Sequence, residues 1–190
     1  MYEIRLHGRG GQGTVLAATI LAAAVIDEGK FAVAVPSFGF ERRGAPVAAY
    51  LRIDMRVIRR MTNIYHPDCV VCIDPTVSRS IDIFAGVRPG GTLVQATGRT
   101  IAGLTLPPGI ATLGLCDAVP IALTTFGRAI TNTVMLGAFA RTTAMVSMEA
   151  LERALHESEF RDAGLEQNIG ALRRGYEETV VHHLSGEAAA

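Results

Sequence analysis

Charge is scarce in this chain, and neither sign prevails. Of its 190 residues 18 are basic and 18 acidic, so nothing in the balance argues for nucleic acid or an acidic membrane as a partner. A charged share of 19% is lean for the surface of a free monomer and predicts that part of that surface lies against another chain. The sequence holds three cysteines with no iron–sulfur spacing among them. Cys69 and Cys72 form a C-x-x-C pair, but Asp68-Cys69-Val70-Val71-Cys72-Ile73-Asp74 reads as a central strand. Residues three apart on a strand point to opposite faces, so these thiols are poorly placed to share a metal or a disulfide. They are read, with Cys116, as buried structural cysteines. The nucleophile elbow Gly-x-Ser-x-Gly, the zinc helix His-Glu-x-x-His and the Lys-Ser or Lys-Thr of a Walker loop are all absent. The chain enters its first strand without the basic and apolar segments of a signal peptide, so a cytoplasmic location is expected. The apolar run 15–26 spans twelve residues, too short to cross a bilayer.

What is present is organised around His7-Gly8-Arg9-Gly10-Gly11-Gln12-Gly13-Thr14. A strand over 2–6 stops there and a helix over 14–28 begins. Glycines allow positive φ and close backbone approach, and amides facing out of the loop and the first helical turn make a seat for an anion. Gly8, Gly10 and Gly13 formally satisfy the dinucleotide pattern, but the second strand of such a fold should end in an acid for the ribose hydroxyls. The expected strand over 31–35 ends in Pro36-Ser37 instead. Arg42 and Arg43 keep a 2'-phosphate site open, and a third reading has the glycines only packing the first helix on the sheet. His7, alone beside this loop, is read as structural.

A length of 190 residues with 49% hydrophobic content suits one domain built on a sheet covered on both faces. Further strands are expected over 47–53, 69–73, 92–95 and, last, 110–115, separated by helices or crossovers. Asp74 stands at the carboxyl end of a central strand, where it suits a cap and a ligand equally well. Arg56, Arg59 and Arg60 read as solvated surface. The loop Pro36-Ser37-Phe38-Gly39-Phe40-Glu41-Arg42-Arg43-Gly44-Ala45-Pro46 carries more chemistry than its length requires. From Asn132 the chain reads as helix only: a buried helix over 132–140 whose Gly137 and Ala138 admit another backbone, one over 148–158 capped by Ser147, and a surface helix over 165–184. His182 and His183 near its end cannot form an i, i+4 metal pair. The fold class is α/β: a doubly wound, mostly parallel sheet with helices on both faces and a helical part from about 131. One domain is expected over 1–185, with a frayed tail over 186–190.

Three stretches together resemble a known family. Gly8-Arg9-Gly10-Gly11-Gln12-Gly13, Pro36-Ser37-Phe38-Gly39-Phe40-Glu41-Arg42-Arg43-Gly44-Ala45 and Asn132-Thr133-Val134-Met135-Leu136-Gly137-Ala138 look like the gamma subunit, or gamma domain, of the 2-oxoacid:ferredoxin oxidoreductases. That family includes pyruvate, 2-oxoisovalerate, 2-oxoglutarate, indolepyruvate and phenylglyoxylate enzymes. Two positions depart from the usual pattern: Arg42 stands where Gln is usual, and Ala45 replaces the second glycine of Arg-Gly-Gly. The resemblance implies oxidative decarboxylation of a 2-oxoacid to its acyl-CoA thioester by a complex. Alpha and beta subunits would carry thiamine diphosphate with Mg2+, and [4Fe-4S] clusters, with a ferredoxin-like delta subunit, would pass electrons to ferredoxin or to NAD through a flavin (FAD) subunit. This chain would bind no cofactor wholly by itself and supply no catalytic residue and no metal ligand. Gly8, Arg9, Gly10, Gly11, Gln12, Gly13, Ser37, Glu41, Arg42, Arg43 and Asn132 would form its contribution, positioning the thiamine-bearing subunits or accommodating the CoA phosphates. Two alternatives compete: a stand-alone Rossmann-like NAD(P)-dependent reductase, and a nucleotide-binding scaffold.

Overall fold

The fold, taken from a computed structural model over residues 1–37, 44–158 and 164–184, is built on one seven-stranded sheet. The strands are β1 (Tyr2–Arg9), β2 (Phe31–Ser37), β3 (Pro46–Asp54), β4 (Cys69–Cys72), β5 (Gly91–Ala96), β6 (Ile110–Cys116) and β7 (Val180–His183). Their spatial order is β2-β3-β1-β4-β5-β6-β7. The pairs β1/β4, β4/β5 and β5/β6 are parallel; β2/β3, β3/β1 and β6/β7 are antiparallel. The α/β class expected from the sequence is therefore observed, but as a mixed rather than mostly parallel sheet, with a parallel centre and antiparallel strands added at both sides.

The helices are α1 (Thr14–Asp27), α2 (Ala118–Phe126), α3 (Asn132–Thr143), α4 (Met148–His156) and α5 (Leu165–Glu177). Their buried side chains join one cluster with Ile4, Leu6, Leu51, Val71 and Val94, the residues that strand alternation directs to a single face. The run of alanine and branched aliphatic residues in α1 has no polar stripe because the helix lies between β1–β3 on one side and α3 and α4 on others. Gly29, at φ 79°, then reverses the chain into β2. In α4 the predicted cap is in place: the Ser147 hydroxyl accepts from the Ala150 N–H at 3.2 Å.

The other sheet face, where helices were also expected, is covered instead by irregular segments with 3₁₀ turns at Val77–Arg79 and Ile101–Gly103, which close a second cluster on Val70, Cys72, Leu93 and Leu113. Cys69 belongs to the helical cluster and Cys72 to this one, so the two thiols do face opposite ways. Burial pushes the Cys72 thiol up to about 12 and that of Cys116 to about 11, and raises Cys69 as well. Under β1 and β3 the second face is polar. There Arg52, 1% exposed, donates to Glu3 at 2.8 Å and to the carbonyls of Thr62 (2.6 Å) and Asn63 (3.3 Å).

Two ends of the chain differ from expectation. The sequence pattern extended the last helix to 184, but α5 stops at Glu177 and the chain returns as β7 along β6. Thr179, Val180 and Val181 are β-branched in succession, which disfavours a helix and suits a strand. Hence 110–115 does not form the last strand. The frayed tail expected at 186–190 lies outside the described residues.

Candidate functional site

The carboxyl edge of β1 and β4 is where the sequence motifs meet. Gly8, still within β1, has no room for a side chain, since a Cβ would run into the Thr14 hydroxyl at the start of α1. The strand reverses into the helix so tightly that this hydroxyl fills the space. It is buried there without a hydrogen-bond partner. Gly11 (φ 90°) and Gly13 (φ 75°) adopt the left-handed backbone that glycine accepts most readily. A Cβ on Gly13 would also collide with the Asn132 carboxamide, so the first residue of α3 packs directly on the glycine loop. Thr131, just before it, donates to the Ile73 carbonyl at 2.7 Å and fixes α3 to the end of β4.

Arg9 and Gln12 hold the loop from within. The Arg9 guanidinium donates to Thr76 Oγ1 (2.8 Å), the Thr76 carbonyl (3.0 Å), the Gly44 carbonyl (2.9 Å) and Ser80 Oγ (3.3 Å). Gln12 accepts from the Arg9 N–H at 3.0 Å and donates to the Asp74 carboxylate. Asp74 also accepts from the Thr76 N–H (2.7 Å) and hydroxyl (2.6 Å), with Arg9 Nε at 3.8 Å. Burial works to raise the Asp74 carboxyl, but the bonds from Thr76 and Gln12 and the charge of Arg9 outweigh it and keep it below the usual carboxylate range. Asp74 thus caps no helix: a 3₁₀ turn over Val77–Arg79 stands where a helix was expected, Thr76 starts it without a side-chain cap, and Asp74 holds Thr76 and latches Gln12. With these side chains engaged, the donors left over are backbone: the N–H groups of Gly11, Gly13 and the first turn of α1 find no acceptor among the described residues.

The second motif joins the first through main chain. Gly10 N–H donates to the Ala45 carbonyl (2.9 Å) and Gly44 N–H to that of Gly10 (3.1 Å). Ser37 ends β2 at the same edge, opposite Ala48, which in turn pairs with His7. Glu41, Arg42 and Arg43 lie outside the described residues. The structure thus gathers Gly8, Arg9, Gly10, Gly11, Gln12, Gly13, Ser37 and Asn132 along one edge. It adds Thr14, Asp74, Thr76 and Ser80, which the motifs did not name as site residues; an acid at a strand end followed by Pro-Thr was the available signal for two of them. His7 lies on the polar face, its Nε2 accepting from Arg5 Nε at 2.9 Å; burial first, then Arg5, lower it to about 4, so the ring is neutral. Among the described residues no three His, Cys, Asp or Glu side chains converge to hold a metal.

The reductase alternative fails on topology. A dinucleotide fold needs the strand after α1 to lie parallel beside β1, bringing its terminal acid to the ribose. Here β2 sits at the sheet edge beyond β3, and β1 has β3 and β4 as neighbours.

Comparison with known proteins gives this edge its context. The family model described as pyruvate ferredoxin/flavodoxin oxidoreductase matches residues 3–178. The chain belongs to this oxidoreductase family. It is 63% identical over 190 residues, 100% of both chains, to the NADH-dependent phenylglyoxylate dehydrogenase subunit gamma of Aromatoleum evansii. It is 46% identical over 188 residues, 97% of this chain and 100% of the other, to the pyruvate/ketoisovalerate oxidoreductases common subunit gamma of Thermococcus kodakarensis. The crystal structure of pyruvate oxidoreductase subunit PORC from Thermotoga maritima superposes with a TM-score of 0.79 at 36% identity, covering 95% of this chain and 97% of that one. The resemblance read from the three motifs is therefore membership; the glycine loop, Ser37 and Gly44-Ala45 of the second motif and Asn132 of the third meet on one edge, while the rest of the third motif runs into the core against α5. No helix among its described residues is long and apolar enough to cross a membrane.

Proposed function

We propose that this chain is the gamma subunit of a multisubunit 2-oxoacid oxidoreductase of the phenylglyoxylate type, located in the cytoplasm. The complex converts a 2-oxoacid and CoA to the acyl-CoA, CO2, a proton and two electrons, which pass to ferredoxin or NAD. The observation that carries this reading is 63% identity, end to end, with a phenylglyoxylate dehydrogenase gamma subunit, against 46% with the pyruvate/ketoisovalerate one. Thiamine diphosphate with Mg2+, the [4Fe-4S] clusters and any FAD belong, in this reading, to the alpha, beta, delta and flavin-bearing sister chains. The three cysteines of the gamma chain are buried, two of them on opposite sheet faces, which suits packing rather than cluster ligation.

The local role proposed for the carboxyl edge is to seat phosphate or carboxylate groups at the boundary with the thiamine-bearing subunits. Free N–H groups at Gly11, Gly13 and the first turn of α1 support it, since such donors and the helix dipole favour an anion. The latch of Arg9, Gln12 and Asp74 holds those donors in place, while Arg42 and Arg43 supply positive charge from the second motif. CoA phosphates fit this chemistry.

The test is purification of the tagged chain from its native cell, with mass spectrometry and a visible spectrum of the pool. A panel of 2-oxoacids is then assayed with CoA. Thiamine-binding and cysteine-rich chains, a brown absorbance and turnover preferring phenylglyoxylate are expected. A colourless protein recovered alone would refute the complex, and preference for pyruvate would refute the substrate class. Arg43→Gln should raise the apparent KM for CoA without loss of assembly; loss of assembly would turn the assignment from CoA to a subunit contact.

A further inference from the structure

A second surface lies at the opposite edge of the sheet. Between β3 and β4 the chain runs from 55 to 66 without helix or strand, yet it is firmly held. Buried Arg52 takes the carbonyls of Thr62 and Asn63, buried Arg5 takes that of Ile64 at 3.4 Å, and Ile64 itself is buried. The backbone is thus pinned from beneath by two arginines through its carbonyls, and apart from Ile64 and the half-buried Ile58 its side chains are exposed. Met55, Val57, Met61 and Tyr65 are each 66–71% exposed. Single exposed apolar residues are ordinary; four on one pinned twelve-residue segment concentrate exposed apolar surface in one stretch.

The charge around the patch identifies what covers it. Arg56 and Arg59 are exposed and make no ion pair among the described residues, and Arg60 reaches only Glu3, at 4.0 Å. No acid occurs between 55 and 66, and Asp54 at its start is already taken by the amino group of Met1 at 3.0 Å. A second copy of this chain across a two-fold axis would set these arginines against one another, which like-charge repulsion opposes.

We propose that the 55–66 segment is a docking surface for a sister subunit of the oxidoreductase complex, one that presents an apolar patch rimmed by carboxylates. This rests on the gamma-subunit reading above. The chain then meets its complex at two separate places, the glycine-loop edge and, at the far end of β1 and β3, this basic apolar patch. Arginine is well suited to such a rim because its planar fork pairs carboxylates bidentately while its stem covers apolar surface.

The experiment is co-expression of the tagged chain with its alpha, beta and delta sister chains, followed by capture at low and high salt. Wild type should recover the sister chains, less at high salt. The double variant R56E/R59E should recover them at least tenfold less, with its melting temperature unchanged, since neither arginine has an ion-pair partner among the described residues. Val57→Ser with Met61→Ser should weaken capture at both salt concentrations. Full assembly by R56E/R59E would overturn the docking surface and leave the gamma-subunit reading standing. Wild type recovered without any sister chain would sink both. A salt-resistant dimer of the chain alone, broken by the Val57/Met61 pair, would assign the patch to self-association instead.

Discussion

The crossing of α3 and α5 offers a sharp test because two glycines in these helices should respond to the same substitution with opposite signs. In α3, a Cβ added to Gly137 would overlap the Leu172 carbonyl and lie 2.7 Å from Tyr176 N and 3.1 Å from Gly175 C, all backbone atoms of α5. The distance to Tyr176 N is about 0.8 Å inside the roughly 3.5 Å optimum of a non-bonded contact, and backbone cannot rotate away as a side chain can. Overpacking costs about 1–3 kcal/mol, and with the helix axis itself forced outward the upper end applies. Alanine returns about 1 kcal/mol of helix propensity, so Gly137→Ala should lose about 2 kcal/mol net. In α5, Gly170 has nothing within 4 Å of a Cβ, so Gly170→Ala should gain up to about 1 kcal/mol. In a chain of this size those changes correspond to a fall in Tm of about 4–8 °C and a rise of about 2–4 °C. Gly175 presses a reciprocal contact on Val134, its Cβ position 2.8 Å from Val134 C, so Gly137→Ala with Gly175→Ala should cost less than the sum of the singles. Thermal scans and urea midpoints at constant m-value compare these four variants with the unmodified chain. A neutral or stabilising Gly137→Ala would refute the close-crossing argument, and a destabilising Gly170→Ala would show that helix propensity had been misjudged.

Two further predictions concern the polar sheet face. Burial and Arg5 hold His7 at about 4 in the folded chain against 6.5 when exposed, so between these values the unfolded chain binds the extra proton. Stability should therefore be complete above about pH 6.5 and fall by up to roughly 3 kcal/mol as the pH drops toward 4; His7→Gln should flatten that slope, and an unchanged slope would remove His7 as its source. Arg52→Met strips a buried cation from buried Glu3, which keeps Arg88 at 2.9 Å. The loss should sit near the lower end for a broken buried pair, about 3 kcal/mol, and adding Glu3→Gln should recover part of it in equilibrium unfolding; no recovery would point to the lost carbonyl contacts instead.

Features governed by nearest neighbours along the chain were legible in the sequence. The alternation of Ile4 and Leu6 with Glu3 and Arg5 marks β1, Gly29 ends α1, Ser147 caps α4, and three-residue spacing on a strand separates Cys69 from Cys72. Each follows from a local period or a backbone angle that a few residues impose by themselves. The glycine loop was legible as a loop for the same reason, and so was the need for a backbone to approach Gly137. What faces a residue from elsewhere in the chain has no such signature. That β2 lies beyond β3 rather than beside β1, that Val180–His183 pairs with β6, and that Asn132 closes on Gly13 were decided by packing between segments far apart in sequence. The same holds for the arginines, alike in sequence but not in place. Arg9 and Arg52 spend their donors inside the fold because Thr76, Glu3 and loop carbonyls surround them, whereas Arg56 and Arg59 stand free of ion pairs among the described residues. The sequence determined which groups are present and which backbone each stretch prefers; only the assembled sheet decided which of those groups are satisfied within the chain and which are left to meet another.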